Sequence, residues 1–496
     1  MKLERHSSYR QIFKATSIFG GVQVFNILIN IIRAKFIAVF LGPAGMGIAG
    51  LLNETLNLIQ GLTGFGLGSS AIKNVAVANA NGDQQRIGEV VTVLRKLVWG
   101  TGLLGFIVAL FLSPFLSQLA FGNRSYTVAF AIISITLLIN QISVGQRVIL
   151  QGMRRISYLA KSGILGAILG LLTSIPLYYF FGKKGIVPAI MFTSVTSLLL
   201  TWYFAGKVDL KKVIVSWEKT VTEGKSMLTL GIGLSISGMI TLGASYLVRI
   251  FISKTGGLTD VGLYNAGFAI INSYVGLVFT AMSTDYYPRL SGVAHDKTKA
   301  NKEVIQQAEI ALLIIAPILC FFLVYINWAI ILLYSNKFIA VNAMIHWAAL
   351  GIYFKAVSWS LGFLLVAKGA TKVLFLNELI SNIYLLSFNM LGYHYWGLSG
   401  LGISFLAGYI IHLIQMTCVT GQLYGFRFNK SILILFGIQF LLGFSCFVTI
   451  KLTSGIPAYL FGSFFIIASA IYSLYEMNKR VGLIDIFNNL QNRFRK

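Results

Sequence analysis

Six basic residues of this 496-residue sequence, Lys14, Arg33, Lys35, Arg147, Arg249 and Lys355, lie within long apolar runs. The acids that could balance them there are Glu54 and Glu378, with Asp285 at the end of another run. A charge taken out of water is costly unless it is paired or meets a ligand. The imbalance predicts a cationic interior, which suits a phosphate-bearing substrate and suits an organic cation poorly. Arg33 and Arg249 lead the candidates because they hold equivalent positions in two similar halves of the chain, described below. The alternative for both is that a long side chain near the end of a run reaches back to polar surroundings. Lys35 follows Arg33 by two residues, about 200° around a helix, so the two point different ways. Arg147 and Lys355 form a second corresponding pair.

Glu54 belongs to a stripe with Asn53, Asn57 and Gln60 at helical spacing. Such a stripe lines a wet cavity or bonds one helix to another. Asn26, Asn30, Asn265 and Asn272 continue the pattern, and amides of this kind suit sugar hydroxyls. Substrate contacts are therefore expected from Arg33, Lys35, Arg249, Arg147, Lys355, Glu54, Asn57, Asn26, Asn30 and Asn272, and a coupling cation would use Asp285 or Glu54. His346, His394 and His412 stand alone, without partners at metal-ligand spacing. No G-x-S-x-G, H-E-x-x-H, P-loop or paired-carboxylate motif occurs, so no catalytic residue, cofactor or metal is expected.

Positioning these groups falls to the apolar runs themselves. At 56% hydrophobic and 11% charged, with a mean hydropathy of +0.78, the chain has more apolar surface than a soluble core could bury. Runs of about 18 to 25 residues recur from end to end, each able to cross roughly 30 Å of hydrocarbon as a helix. A membrane barrel would show short alternating strands, and Ile310 to Ile318 or Leu433 to Phe440 show none. An all-α integral membrane protein of about fourteen spans is predicted. They fall near residues 11–40, 45–69, 90–113, 127–150, 157–180, 185–206, 226–252, 261–284, 306–333, 341–366, 372–391, 397–421, 432–451 and 455–476. With the N-terminus placed inside, the inner segments collect about 28 of the 40 Lys and Arg residues. The outer loops keep Arg124, Lys183, Lys184, Lys254, Lys337 and Lys451. Both termini are thus predicted to be cytoplasmic.

The net charge of +25, spread through short loops, argues against a nucleic-acid surface, and no outer loop is large enough for a catalytic domain. Cys320, Cys418 and Cys446 read as core residues, and no cleavable signal follows Lys2, Arg5 and Arg10. In the tail over 479–496, Val481, Ile484, Phe487, Leu490 and Phe494 predict a cytoplasmic amphipathic helix on the membrane surface.

The chain also matches itself at an offset of about 215 residues. Arg33 with Gly47 recurs as Arg249 with Gly262, and the polar stretch with Asp83 and Glu89 recurs as that with Asp296 and Glu303. Phe121-Gly122-Asn123-Arg124 recurs as Tyr334-Ser335-Asn336-Lys337, and Gly182-Lys183-Lys184-Gly185 as Gly397-Leu398-Ser399-Gly400. Two six-span lobes are read from this, residues 1–206 and 226–425, joined by a cytoplasmic linker over 207–225 and followed by two further spans within 426–478. An even number of spans per repeat makes the lobes point the same way.

The stretch Phe36-Ile37-Ala38-Val39-Phe40-Leu41-Gly42-Pro43-Ala44-Gly45-Met46-Gly47-Ile48-Ala49 resembles the first hairpin of the Wzx-type polysaccharide flippases. These sit in the superfamily that also holds the MATE multidrug exporters and the lipid II flippases. Phe121-Gly122-Asn123, Gly152-Met153-Arg154, Tyr286-Tyr287-Pro288-Arg289-Leu290, Leu333-Tyr334-Ser335-Asn336-Lys337-Phe338 and Ala367-Lys368 extend the likeness in order over about residues 10–425. It is strongest to the O-antigen and lipid III translocases. The resemblance implies a V-shaped, two-lobed transporter in the bacterial inner membrane. Its cargo would be an undecaprenyl-diphosphate-linked oligosaccharide, flipped between leaflets, with a polysaccharide polymerase or other assembly proteins as partners. Arg33 matches a cavity arginine of lipid II flippases, Lys35 a lysine of lipid III translocases, and Arg249 an arginine of helix 7. The two extra spans resemble a pair that holds the polyprenyl tail in lipid II flippases. Two alternatives stay open. A cation-coupled drug exporter of the same fold would want a carboxylate cluster, and a membrane enzyme on lipid-linked sugars would want a large outer loop.

Overall fold

In a computed structural model that describes residues 2–482, the apolar sequence is helical almost throughout, because a backbone in hydrocarbon has to bond to itself. The helices are α1 (Lys2–Gly64), α2 (Leu67–Ala80), α3 (Gln84–Phe111), α4 (Ser113–Phe121), α5 (Thr127–Ile133), α6 (Ile135–Gly152), α7 (Ile156–Phe181) and α8 (Ile186–Gly206). There follow α9 (Trp217–Thr255), α10 (Gly257–Phe268), α11 (Gly276–Val293), α12 (Lys297–Leu333), α13 (Asn342–Ala367), α14 (Thr371–Tyr424), α15 (Lys430–Leu452) and α16 (Ile456–Val481). Packing divides the chain into two compact units, Met1–Gly262 and Leu263–Lys496. Beyond Gly482 the expected tail helix lies outside the described residues, as does the side chain of Lys14.

Among the described residues, eleven segments are long and apolar enough to cross a membrane. Three of them, Phe25–Gly64, Ile156–Gly206 and Thr371–Tyr424, each contain two crossings, which makes fourteen. The reversals are glycine turns. At Gly397 the backbone takes φ 55° and ψ −138°, and the two legs of α14 face each other on either side of it. Ser404 Oγ donates to Phe388 O at 2.5 Å, and Gln415 Nε2 to Asn377 Oδ1 at 2.7 Å. At Gly42, φ is 66° and Pro43 opens the second leg, as proline does at a helix start. Positive φ costs an L-residue roughly 1–2 kcal/mol, so glycine fits both turns. The first leg of α1 runs with α7, where Phe40 meets Tyr179 at 5.5 Å between ring centroids. On the second leg, Gly64 lies against Gln141 of α6.

Residues matched by the sequence offset share local conformation. Gly182, the mate of Gly397, takes φ 54° and ψ −134°. Asp83 and Asp296 both cap helices: Asp83 accepts from the Gln85 and Arg86 amides, Asp296 from those of Thr298 and Lys299, at 2.9 to 3.1 Å. The Lys299 amide does most to hold the Asp296 carboxyl below its usual range.

The interhelical segments differ from the sequence reading in one place. The linker expected over 207–225 ends at Ser216, whose Oγ caps α9 by accepting from Lys219 N at 3.3 Å. Residues 207–216 are laid along α3: Thr92 Oγ1 donates to Val213 O at 3.1 Å and Lys96 Nζ to Val215 O at 2.8 Å. Packing also joins α9 to α1 and α2 within the first unit, whereas the repeat counts it with the second lobe. Packing and the sequence offset divide the chain at different residues.

In the second unit α15 and α16 are fastened to α12 by polar groups. Arg480 of α16 meets Glu309 of α12 at 2.9 Å, Ser431 of α15 donates to Glu309 at 2.8 Å, and Arg480 also pairs with Glu476. Gln439 of α15 donates to Ser473 of α16 at 2.8 Å. Glu309, 8% exposed, corrects the short list of buried acids read from the sequence. On the far face of α16, Leu460, Phe464, Ile467, Ile471 and Leu474 are exposed at helical spacing, as a lipid-facing surface requires. Glu309→Ala takes from the Arg480 guanidinium one of its two carboxylates and leaves it Glu476, and is expected to cost about 1–3 kcal/mol. A thermal melt of the purified chain checks it, and an unchanged melting temperature refutes it.

Candidate functional site

The central feature of the first unit is a seam between the second leg of α1 and α9, which run antiparallel, continued by the first turns of α10. One end is a reciprocal contact of glycines. A Cβ on Gly47 would lie 2.0 Å from Leu258 O, and one on Gly262 would lie 1.8 Å from Pro43 O. Residues 43 and 47 are the repeat mates of 258 and 262, so the contact has the self-complementary form of a two-fold axis. Further along, Thr55 Oγ1 donates to the Tyr246 hydroxyl at 2.8 Å, and Gly66 packs on Gly231.

Midway along this seam sit Glu54 and Arg249. Their closest approach is 3.4 Å, from Arg249 Nη2 to Glu54 Oε1. The arginine side chain is 5% exposed and the glutamate 24%. Arg249 Nη1 donates to the carbonyl of Ser245 at 3.0 Å and to its hydroxyl at 2.5 Å. Ser245 is one turn ahead on the same helix, so the guanidinium is aimed by its own helix as well as by its partner. A charge-assisted hydrogen bond of good geometry spans about 2.7–2.9 Å, so this carboxylate is held loosely. Asn53 and Asn57, one turn apart, are exposed beside it; on the first leg of α1 Asn30 is exposed and Asn26 half-buried, and Gln60 is half-buried.

The other basic residues are placed separately. Arg33 leans on α7, where a Cβ on Gly170 would stand 2.9 Å from its Nη2, and its buried Nε has no hydrogen-bond partner among the described residues. Lys35 is half-buried. Arg147 is exposed on α6 between the buried Gln146 and Val148. An exposed arginine within a span is cheapest when it faces water or headgroups instead of acyl chains.

In the second unit Lys355 of α13 donates to Asn272 Oδ1 at 2.8 Å. Asn272 lies in a π-helical turn, Ala269–Tyr274, a local irregularity common at functional sites. The Lys355 ammonium also stands 5.2 Å from the centre of the Tyr409 ring. A cavity of about 250 Å³ beside it is lined by Glu378, His412, Trp359 and Asn377. Asp285 behaves differently from a buried acid: its side chain is 75% exposed and pairs with Arg289 at 2.8 Å. Arg289 also holds Glu303 at 3.0 Å.

The structure thus joins Glu54 to Arg249, and Lys355 to Asn272, and engages Arg33 and Asp285 elsewhere. Sequence reading passed over Ser245 and Glu309. The first was findable as a hydroxyl four residues before a membrane arginine, the second as an acid within a predicted span.

Comparison with known proteins gives a consistent family setting. The family model described as "Polysaccharide biosynthesis protein" matches residues 36–343. The lipid III flippase of Escherichia coli (strain K12) is 25% identical over 395 residues, covering 77% of this chain and 92% of the relative. The lipid III flippase of Shigella flexneri matches to the same extent. Among solved structures, the lipid II flippase MurJ in its inward closed conformation aligns with a TM-score of 0.68 at 12% identity, over 95% of this chain and 99% of that one. An inward-facing MATE multidrug transporter of the MOP superfamily aligns with a TM-score of 0.65 at 17% identity, over 87% and 96%. At these identities the two structures speak to the fold. The chain has the helical membrane fold of MOP transporters.

Proposed function

We propose, from the premise that this chain belongs to the polysaccharide biosynthesis protein family, that it flips an undecaprenyl-diphosphate-linked oligosaccharide from the cytoplasmic to the outer leaflet of a bacterial inner membrane. The observation that carries the reading is the buried Arg249 with its loosely held Glu54. A diphosphate offers several anionic oxygens to a guanidinium, and it competes with one carboxylate at 3.4 Å on favourable terms. The cargo would take Arg249 from Glu54, with Arg33, Lys35, Arg147 and Lys355 supplying further positive charge along the path. Asn26, Asn30, Asn57 and Asn272 would meet sugar hydroxyls, while the polyprenyl tail stays in lipid.

Alternating access between two lobes would carry the bound head across, with no covalent bond made or broken. Of the two carboxylates considered for cation coupling, Glu54 is retained, because it lies in the seam beside Arg249. Asp285 is 75% exposed and already paired with Arg289. Both termini are assigned to the cytoplasm on the distribution of Lys and Arg.

A deletion strain tests the reading. Surface glycan is expected to be lost, with its lipid-linked precursor accumulating inside, and a plasmid copy is expected to restore export. Heightened drug sensitivity with intact surface glycan would favour a drug exporter and overturn the reading.

A further inference from the structure

At the end of the first unit where α2 finishes and α9 begins, the helices enclose a cavity of about 350 Å³. Lys73 and Val77 of α2, Arg86 of α3, and Glu223 and Met227 of α9 contribute to its wall. The charged part is held from behind. Arg86 Nη1 meets Glu223 Oε1 at 2.5 Å and Glu89 Oε2 at 3.2 Å, and Lys219 Nζ meets Glu89 Oε2 at 2.7 Å. Two cations and two carboxylates therefore offset one another, and Lys73, exposed on α2, takes no part in that network. A surplus positive charge is left at the cavity.

Glu223 shows the complementary surplus. Its Oε1 is taken by Arg86, while its Oε2 is buried without a hydrogen-bond partner among the described residues. A buried carboxylate oxygen without a donor costs about 1–3 kcal/mol or more, so a ligand that brings an N–H would stabilise it once the Glu223 side chain, 18% exposed at the cavity wall, turns Oε2 toward the cavity. A ligand that answers both surpluses carries an anion for Lys73 and a protonated amine for Glu223. Val77, 53% exposed beside the cavity, offers an apolar ledge along which an acyl chain could leave.

We propose that this cavity binds a phosphoethanolamine group, with its phosphate on Lys73 and Arg86 and its ammonium donating to Glu223 Oε2. A membrane lipid is the favoured source, because Val77, exposed one turn from Lys73 on α2, sets an apolar contact beside the charged head. The site discriminates a primary amine from a quaternary one, since a trimethylammonium has no N–H to give. It is independent of the cargo and of the Glu54–Arg249 pair.

Native mass spectrometry of the purified full chain, titrated with phosphatidylethanolamine, phosphatidylcholine or phosphatidylglycerol, tests it. Phosphatidylethanolamine is expected to be retained about tenfold better than either of the others, the value of one hydrogen bond to a charged group. Glu223→Gln, which puts an amide donor in place of Oε2, is expected to bring phosphatidylethanolamine down to the level of phosphatidylcholine. Lys73→Ala, at an exposed position that leaves the ion network whole, is expected to weaken both lipids alike. Thermal protection by soluble O-phosphoethanolamine equal to that by the lipid would keep the site and assign it a soluble ligand. Equal retention of the three lipids by the unsubstituted chain would overturn the proposal, as would unchanged retention in both variants.

Discussion

Arg249→Ala is expected to reduce glycan export about 100-fold, with the protein present in the membrane at its usual level. Removing one member of a partly buried charge pair, and with it the guanidinium's contacts to the diphosphate, costs about 2–5 kcal/mol, and each 1.4 kcal/mol is about a factor of ten. Part of that cost is structural, because Glu54 is left without its cation at mid-seam. Combining Arg249→Ala with Glu54→Gln separates the two parts. The double variant is expected to regain the melting temperature, since no uncompensated charge remains, and to stay inactive in export, since the diphosphate has lost its guanidinium. Arg249→Lys keeps the charge but not the planar fork and is expected to fall between. Surface polysaccharide measured beside protein abundance gives the readout, and a double variant that exports normally would remove Arg249 from the cargo path.

The second large effect belongs to the glycine contact at the end of the seam. Gly47→Val places carbon where the Leu258 carbonyl already stands, 2.0 Å from an ideal Cβ, and neither neighbour is the movable end of a side chain. Overpacking of this kind costs about 3 kcal/mol or more, and here the strain falls on two backbones at once. The variant is expected to lose its sharp elution peak in detergent and to melt at least several degrees lower. Gly100→Ala is the matched control, because nothing lies within 4 Å of its Cβ position. There a helical glycine gains about 0.5–1 kcal/mol on becoming alanine. Equal melting of Gly47→Val and Gly100→Ala would deny the contact its place in holding α1 to α10.

Much of the architecture was legible because hydropathy reports the solvent directly. The span boundaries near residues 40 and 391–397 fell at Gly42 and Gly397, where the helices turn back. The sequence offset pairs Gly182 with Gly397, and these two glycines share their backbone angles. What an apolar run does not report is its neighbour. Glu54 and Arg249 were each singled out, one as part of an amide stripe and one as a free cavity cation. Their pairing across 195 positions of sequence depends on the register of α1 against α9. Gly47 and Gly262 were matched as equivalents without a sign that each packs beside the other. The linker was drawn over 207–225 as a cytoplasmic connection between apolar runs, and composition gives no sign that its carbonyls serve as acceptors for Thr92 and Lys96 of α3. Glu309 was missed for a related reason: it stands in a polar approach to an apolar run, and its counter-charge, Arg480, is 171 residues away.

Transport by the purified chain in proteoliposomes addresses the cargo most directly. An undecaprenyl-diphosphate-linked oligosaccharide with a fluorescent sugar is placed in both leaflets, and a membrane-impermeant quencher reports how much label remains protected. The unsubstituted chain is expected to bring the protected half within reach of the quencher, while Arg249→Ala leaves it protected. Protection unchanged by the active protein, with an organic cation carried across the same vesicles, would contradict a lipid-linked glycan as the cargo.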